Sequence, residues 1–380
     1  MELAFQLHDM ALAHAQPHGR MAYRRAARVL MALEAPIDVL LGDRPPRDIA
    51  GVGPAIERVI LEYLANGESP TVARAVEASD NRAEVVAGRK LRTNFLSRAA
   101  ATIVLQRSMP GVVGIDDMRG DLQMHTEWSD GGETIGDMID AARLRGYGFI
   151  GVSDHSYGLA IARGMSMETA ARQHEEVDRL NAKYAPEFRV FKGIEANIPL
   201  DGGVDMSMDE LAAFEVILAA PHSRLRRAED QTGRMLATVR HPRVHILAHP
   251  RGRMFTRAGV QADWDAVFAE ATRHDVVIEL DGDPWRQDLD FELARRALDA
   301  GCLFACDSDA HRGAEMTYAE FGVAHARLAG IPPDRVINTW KTKRLADWAR
   351  SKGARRRRTK AAVASRRKSV SGATTDPRRA

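Results

Sequence analysis

Cysteine is nearly absent from this chain of 380 residues: Cys302 and Cys306 are the only two. A pair of thiols four apart supports neither a disulfide framework nor a Cys₄ zinc site, and free cysteine packs as a small hydrophobe, so both are expected to be buried. No apolar run approaches the roughly 20 residues that a bilayer-spanning helix needs, which excludes a membrane partner of that kind. The opening MELAFQLHDMALAH sets acids and histidines where a secretory signal has a basic end and an apolar stretch, so a cytoplasmic location is expected. An excess of one charge is lacking too, with 54 Lys/Arg against 52 Asp/Glu and a net charge of +2. That balance is uneven along the chain. Residues 1–100 hold 13 basic and 12 acidic side chains, residues 101–352 hold 31 and 39, and residues 353–380 hold 10 and 1. The chain therefore reads as an acidic body with a short basic end.

A length of 380 residues with 45% hydrophobic and 28% charged content suits a globular chain of about two domains. The first hundred residues carry helical periodicity in LAFQLHDMALAHA, GRMAYRRAARVLMAL and PAIERVILEYLANG, bounded by Gly or Pro. From about Gly120, short apolar runs alternate with amphipathic stretches. The runs are DLQMH (121–125), FIGVSDH (149–155), RVFKGIE (189–195), FEVILAAPH (214–222), VHILAHP (244–250), VVIELDG (276–282) and LFACDSDAH (303–311). Seven repeats of strand then helix predict a parallel sheet, most economically closed into a barrel with its helices outside.

Histidines and carboxylates fall at the ends of these runs: His125, the Asp154/His155 pair, Glu195, His222, His249 and the Asp309/His311 pair. Parallel strands of a barrel all end on one face, so groups spread over nearly two hundred residues are expected to meet at one mouth. Imidazole with carboxylate suits Zn²⁺, Mn²⁺ or Fe. With Asp130 the candidates number eight, whereas a catalytic zinc takes about three protein ligands, so two or three divalent ions are expected. Two ions roughly 3.5–4 Å apart can generate hydroxide near neutral pH and clamp both oxygens of a displacement at phosphorus, which points to phosphoester hydrolysis.

The motifs G-D-L-Q-M-H-T-E-W-S-D-G (120–131), V-S-D-H (152–155), G-I-E (193–195), A-P-H-S-R (220–224), A-H-P-R-G-R (248–253) and D-S-D-A-H (307–311) resemble, in order, those of the polymerase-and-histidinol-phosphatase (PHP) superfamily, and most nearly the PHP domain of bacterial X-family DNA polymerases. The resemblance covers residues 115–345 and implies a distorted (β/α)₇ barrel with a trinuclear metal centre. It implies that His125, Glu195 and Asp309 hold one ion, that Glu195 bridges to a second held by His222 and His249, and that Asp130, His155 and His311 hold the third. The first superfamily motif usually reads D-x-H-x-H. Here Gln123 stands at the first histidine, as it does in the X-polymerase branch, and an amide oxygen suits a harder ion such as Mn²⁺ better than zinc.

Asp154 can be read as the acceptor that orients a ligand histidine or as a proton relay. Arg253 and Arg286, just past the fifth and sixth runs, are expected to grip a phosphate, with Arg251 and Arg224 as weaker candidates. The other histidines, among them His8, His245 and His325, are expected to be structural.

Residues 49–56, I-A-G-V-G-P-A-I, have the form of a helix-hairpin-helix whose Gly51 and Gly53 open a helix toward a DNA phosphate. The expected organisation is a small all-α hairpin domain over 1–70, a helical linker over 71–118, the PHP barrel over 119–348 and a disordered basic tail over 349–380 that could also meet DNA. Residues 68–118 are too few for a polymerase palm and contain no Asp-x-Asp pair, so the chain is not expected to polymerise DNA. The expected function is phosphoester hydrolysis at DNA ends, of 3′–5′ exonuclease or 3′-phosphatase type. The alternatives are a small phosphomonoesterase of histidinol-phosphatase type and a non-catalytic DNA-binding scaffold.

Overall fold

A computed structural model describes residues 1–352. The basic segment 353–380, and with it most of the expected tail, lies outside the described residues.

Before Gly120 every helix or strand element is helical: α1 (Glu2–Ala13), α2 (Pro17–Met31), α3 (Ile37–Leu41), α4 (Pro54–Asn66), α5 (Pro70–Glu77), α6 (Arg82–Leu91) and α7 (Arg98–Gln106). Proline at the first turn of α2, α4 and α5 costs no hydrogen bond there and presets the backbone. Leu3, Leu7, Ala26, Leu30, Val59 and Ile60 form a common core, which continues through Val72, Val76, Val85 and Phe95. The boundary expected at residue 70 thus falls inside this core, because α5 and α6 carry valines that close it. Phe255, from the barrel, fills the same core.

Seven parallel strands follow in the order of the chain: β1 (Gly120–Asp121), β2 (Phe149–Val152), β3 (Arg189–Asn197), β4 (Val216–Ala220), β5 (Ile246–Leu247), β6 (Val277–Asp281) and β7 (Phe304–Asp307). Between them run α8 (Ile135–Leu144), α9 (Met167–Tyr184), α10 (Thr232–Val239), α11 (Trp264–Arg273) and α12 (Phe291–Asp299), with α13 (Ala319–Ala329) after β7. Alternation sorts each strand. Ile150, Val190, Ile217, Leu247 and Ile278 face the helices, against residues such as Met138, Val177 and Phe268. Phe149, Phe191, Val216, Leu218, Ile246, Val277 and Ala305 form a second cluster inside the barrel. Leu345, Trp348 and Ala349 join that inner cluster from a last helix over 342–352, which runs four residues past the boundary expected at 348. It closes the end of the barrel opposite the strand C-termini.

β1 and β7 do not share a ladder; polar groups join them instead. The Asn338 amide donates to the Gly120 carbonyl (3.1 Å) and to Asp307 (2.7 Å), and Leu122 N–H donates to the same Asp307 oxygen (2.7 Å). Higher up, His125 N–H donates to the Ala310 carbonyl at 2.8 Å. This closure brings His125 and Asp309, 184 positions apart, to one rim. Both cysteines are buried, as expected.

Candidate metal centre

The eight ligand candidates meet at the strand C-termini around one carboxylate. Glu195, on the inward face of β3 and 1% exposed, lies at the centre. Its Oε1 is 3.0 Å from His222 Nε2 and 3.0 Å from His249 Nε2; its Oε2 is 3.2 Å from His125 Nε2 and 3.6 Å from His155 Nδ1. Asp309 Oδ1 approaches His125 Nε2 at 3.0 Å. A second focus is Asp130 Oδ1, at 3.6 Å from His155 Nε2, 3.6 Å from His311 Nε2 and 4.0 Å from His125 Nδ1.

Three overlapping groups have the compactness that metal ligation needs: His125–Asp130–His155–His311, His155–Glu195–His222 and His125–Glu195–Asp309. The last matches one ion of the expected set. The first holds the whole expected set of Asp130, His155 and His311 with His125 added, and the second has His155 where His249 was expected, since of the candidate ligand atoms His249 Nε2 closes only on Glu195.

The residues fit divalent cations. Two ligands about 2.1 Å from a tetrahedral ion stand roughly 3.4 Å apart, and the separations of 3.0–4.0 Å bracket that value. His125 Nδ1, His155 Nδ1 and His249 Nδ1 are buried without hydrogen-bond partners, an uncommon state for polar atoms.

Electrostatics agree. Burial alone would raise the Glu195 carboxyl, yet the surrounding histidines hold it well below the usual range. Burial would likewise depress His125, but Asp309 and Glu195 hold it well above the ordinary value, so the positive charge these carboxylates draw is a proton that an ion would have to displace. His155, with burial the largest cause, is pushed down to about 4 and is a neutral imidazole near pH 7, the form that ligates.

Neighbouring groups aim these side chains. His222 Nδ1 meets Asn197 Oδ1 at 3.1 Å, which turns Nε2 toward Glu195; His311 Nδ1 meets the Asp309 carbonyl at 2.9 Å, which turns Nε2 toward Asp130. His249 and Asp309 both hold positive φ, 26° and 54°, sparsely populated backbone of the kind that concentrates at functional sites. The His249 amide is fixed by Glu279 Oε2 at 2.5 Å. Gln123 is fully buried, donates from Nε2 to Glu195 Oε2 (3.1 Å) and keeps Oε1 unpartnered.

The remaining expectations divide. Arg286 reaches the centre, with Nη1 2.9 Å from Asp309 Oδ2. Arg253 does not: it is 2% exposed, its Nη1 pairs with Asp290 (2.9 Å), its Nε donates to the Arg286 carbonyl (2.9 Å) and its guanidinium lies 4.3 Å from the centroid of the Phe95 ring. Those contacts make it a strut between barrel and helices, and burial lowers its pKa to about 10. Arg251 also pairs with Asp290, and Arg224 with Glu229. Asp154 touches no histidine. Its Oδ1 accepts from Thr126 N–H (2.8 Å) and Ser129 Oγ (2.5 Å), and its Oδ2 from Thr126 Oγ1 (2.7 Å) and Gln173 Nε2 (2.6 Å). It shapes the 126–129 turn between His125 and Asp130.

Nothing in the sequence singled out Asn197 or Glu279; Glu279 is the middle residue of β6, with Asp281 at its end. Gly51 and Gly53 lie far along the chain on the helical region. Gly51 has φ +85°, which favours glycine, and the α4 amides of Ala55 and Ile56 precede the first intrahelical bond, Glu57 N–H to the Gly53 carbonyl (2.9 Å).

No family model matches the chain. The DNA polymerase/3′-5′ exonuclease PolX of Bacillus subtilis is 33% identical over 229 residues, 60% of this chain and 40% of that protein. The probable phosphatase YcdX of Escherichia coli K12 is 28% identical over 245 residues, 61% of this chain and 94% of that protein. A zinc-, histidinol- and phosphate-bound histidinol phosphate phosphatase from Lactococcus lactis superposes with a TM-score of 0.40 at 11% identity, over 55% of this chain and 94% of that one. The chain thus spans about two fifths of PolX but nearly all of YcdX. Over three fifths of its length the chain is thus similar to PolX and to YcdX, and its seven parallel strands run in barrel order with the candidate ligands gathered at their ends.

Proposed function

We propose that the chain is a metal-dependent phosphoesterase acting on DNA ends, as a 3′–5′ exonuclease or 3′-phosphatase. The observation that carries the hydrolytic reading is the convergence of three ligand groups that share His125, His155 and Glu195. Divalent cations at such a cluster supply Lewis-acid charge that polarises a phosphoryl oxygen and acidifies water. His125, Glu195, Asp309 and the other five ligands would hold them. Glu195, kept ionised by the histidines around it, would be a shared ligand of such ions; Arg286, braced by Asp309, would offer a guanidinium to developing phosphoryl charge. Manganese is the ion expected at Gln123, for the hardness of its amide oxygen.

The DNA reading has separate support in the hairpin. A Cβ at Gly53 would meet nothing within 4 Å, so this glycine is not needed for packing and leaves the α4 N-terminus open to a phosphate. Labelled primer and a small phosphomonoester, each assayed with Mn²⁺ and with EDTA, separate a DNA-end enzyme from a histidinol-phosphatase type. His222→Ala addresses catalysis itself: loss of hydrolysis on both substrates is expected, and wild-type rates would make the chain a scaffold.

A further inference from the structure

Seven arginines rise from the loops after β4, β5 and β6. Three of them, Arg224, Arg251 and Arg253, are neutralised by Glu229 or Asp290, and Arg286 is braced on Asp309. Arg226, Arg227 and Arg257 have no ion pair among the described residues. Arg226 is exposed, and its Nη1 donates to the Thr256 carbonyl at 3.2 Å, which brings it beside Arg257. Arg257 is half-buried, its Nε held by the Gly252 carbonyl at 2.9 Å. Burial first, then the charges of Arg286 and Arg226, pull the Arg257 pKa down to about 10. Asp288 offsets these charges at Arg257 only in part and forms no ion pair with it, so the clustered cations are unfavourable in the free protein and become favourable when an anion binds among them.

The turn that carries Arg257 is also fixed in place. Met254 and Arg257 exchange both backbone hydrogen bonds, each 3.0 Å, and Phe255 between them is locked into the helical core. A guanidinium mounted this way is preorganised and loses little freedom on binding. Arg286 touches Asp309, Arg257 lies within electrostatic reach of Arg286 and of Arg226, and exposure rises from the half-buried Arg257 to the exposed Arg226.

We propose that Arg226 and Arg257 bind a second phosphate of the substrate, beside the ester held at the ligand cluster, so that the site takes the end of a phosphodiester chain rather than an isolated phosphomonoester. This rests on the phosphoesterase reading above. The test compares wild type with Arg226→Gln/Arg257→Gln in the full chain with Mn²⁺, on a 3′-phosphorylated oligonucleotide and on thymidine 3′-monophosphate. Expected is a KM raised about tenfold on the oligonucleotide with kcat within about twofold, no change on the mononucleotide, and recovery in Arg226→Lys/Arg257→Lys. Equal effects on both substrates, or none on either, would overturn the proposal. A second measurement, anisotropy of the same labelled oligonucleotide in EDTA, needs no hydrolysis. Two lost contacts should flatten log K against log salt by about 1.4, and an unchanged slope would count against the site. If wild type hydrolyses neither substrate the phosphoesterase reading falls, and the anisotropy result alone then decides whether the arginines bind a strand.

Discussion

Asp154 separates two kinds of explanation for a buried acid beside a metal ligand. As a positioning residue it acts through the four hydrogen bonds it accepts from Thr126, Ser129 and Gln173. Asp154→Ala removes all four. The hydroxyls of Thr126 and Ser129 can rotate and the Gln173 amide can turn, but Thr126 N–H cannot, so at least one buried donor is stranded at about 1–3 kcal/mol. The turn then loosens between His125 and Asp130, and metal affinity should fall about 10–100-fold. Asp154→Asn behaves differently. Oδ1 keeps Thr126 N–H and Ser129, and the new amide faces Gln173, whose Oε1 has no partner and can accept once flipped. Only the Thr126 hydroxyl bond is lost, about 1 kcal/mol. Asparagine cannot relay a proton. Metal content, affinity by competition with a chromogenic chelator, and kcat should therefore stay within a few-fold of wild type in Asp154→Asn and collapse in Asp154→Ala. An Asp154→Asn protein with normal metal binding and stability but no turnover would refute the positioning role in favour of a relay.

Three further outcomes follow from the same contacts. Burial is the main reason that His245 and His325 are held down to about 3, so the unfolded chain, titrating near 6.5, takes up protons first. Their stabilising contribution is complete above pH 6.5 and declines below it by up to about 1.4 kcal/mol per pH unit each, so the urea midpoint should drop between pH 7.5 and 5.5; a constant midpoint contradicts this. Phe255→Ala removes a ring packed against Phe5, His8, Phe95 and Trp285, and should cost about 3–5 kcal/mol in chemical denaturation; a change below about 1 kcal/mol would show that this packing contributes little. Adding Mn²⁺ to EDTA-treated protein should raise the melting temperature, since an ion at 100 times its Kd adds about 2.7 kcal/mol per site; no shift with Mn²⁺, Zn²⁺ or Fe²⁺ argues against the centre.

That the candidate ligands would meet was legible because strand order fixes it. A histidine or carboxylate ending a parallel strand must reach the mouth, whatever the rest of the chain does, and His125, Glu195, His222 and His249 all do so. Arginine follows no such rule. Its long side chain takes whichever carboxylate the tertiary structure offers, so Arg253 and Arg286, alike in sequence as guanidiniums past a strand end, take opposite places: one is sealed against Phe95 and Asp290, the other opens onto Asp309. Arg226 and Arg257 were invisible for the same reason, since what marks them is that neither forms an ion pair among the described residues. The boundary at residue 70 was misplaced because α5 and α6 read as an amphipathic linker, and nothing local reveals that Val72, Val76 and Val85 face α1 and its neighbours.

The contacts of the helical region tie it to two of the loops that surround the candidate centre. Two loops carry the connection. After His249, the β5 loop sends Phe255 into the helical core; after β6, Trp285 packs against Phe255 and Arg28. Gln287 accepts from Leu96 N–H and donates to the Leu96 carbonyl, both at 2.8 Å. Arg286 lies between Trp285 and Gln287, and it is the residue that braces Asp309. Displacing the helices would therefore release the loop that orients Arg286 and the loop that follows His249 together. A shift of the helical region would reach both loops through the same three residues, Phe255, Trp285 and Gln287.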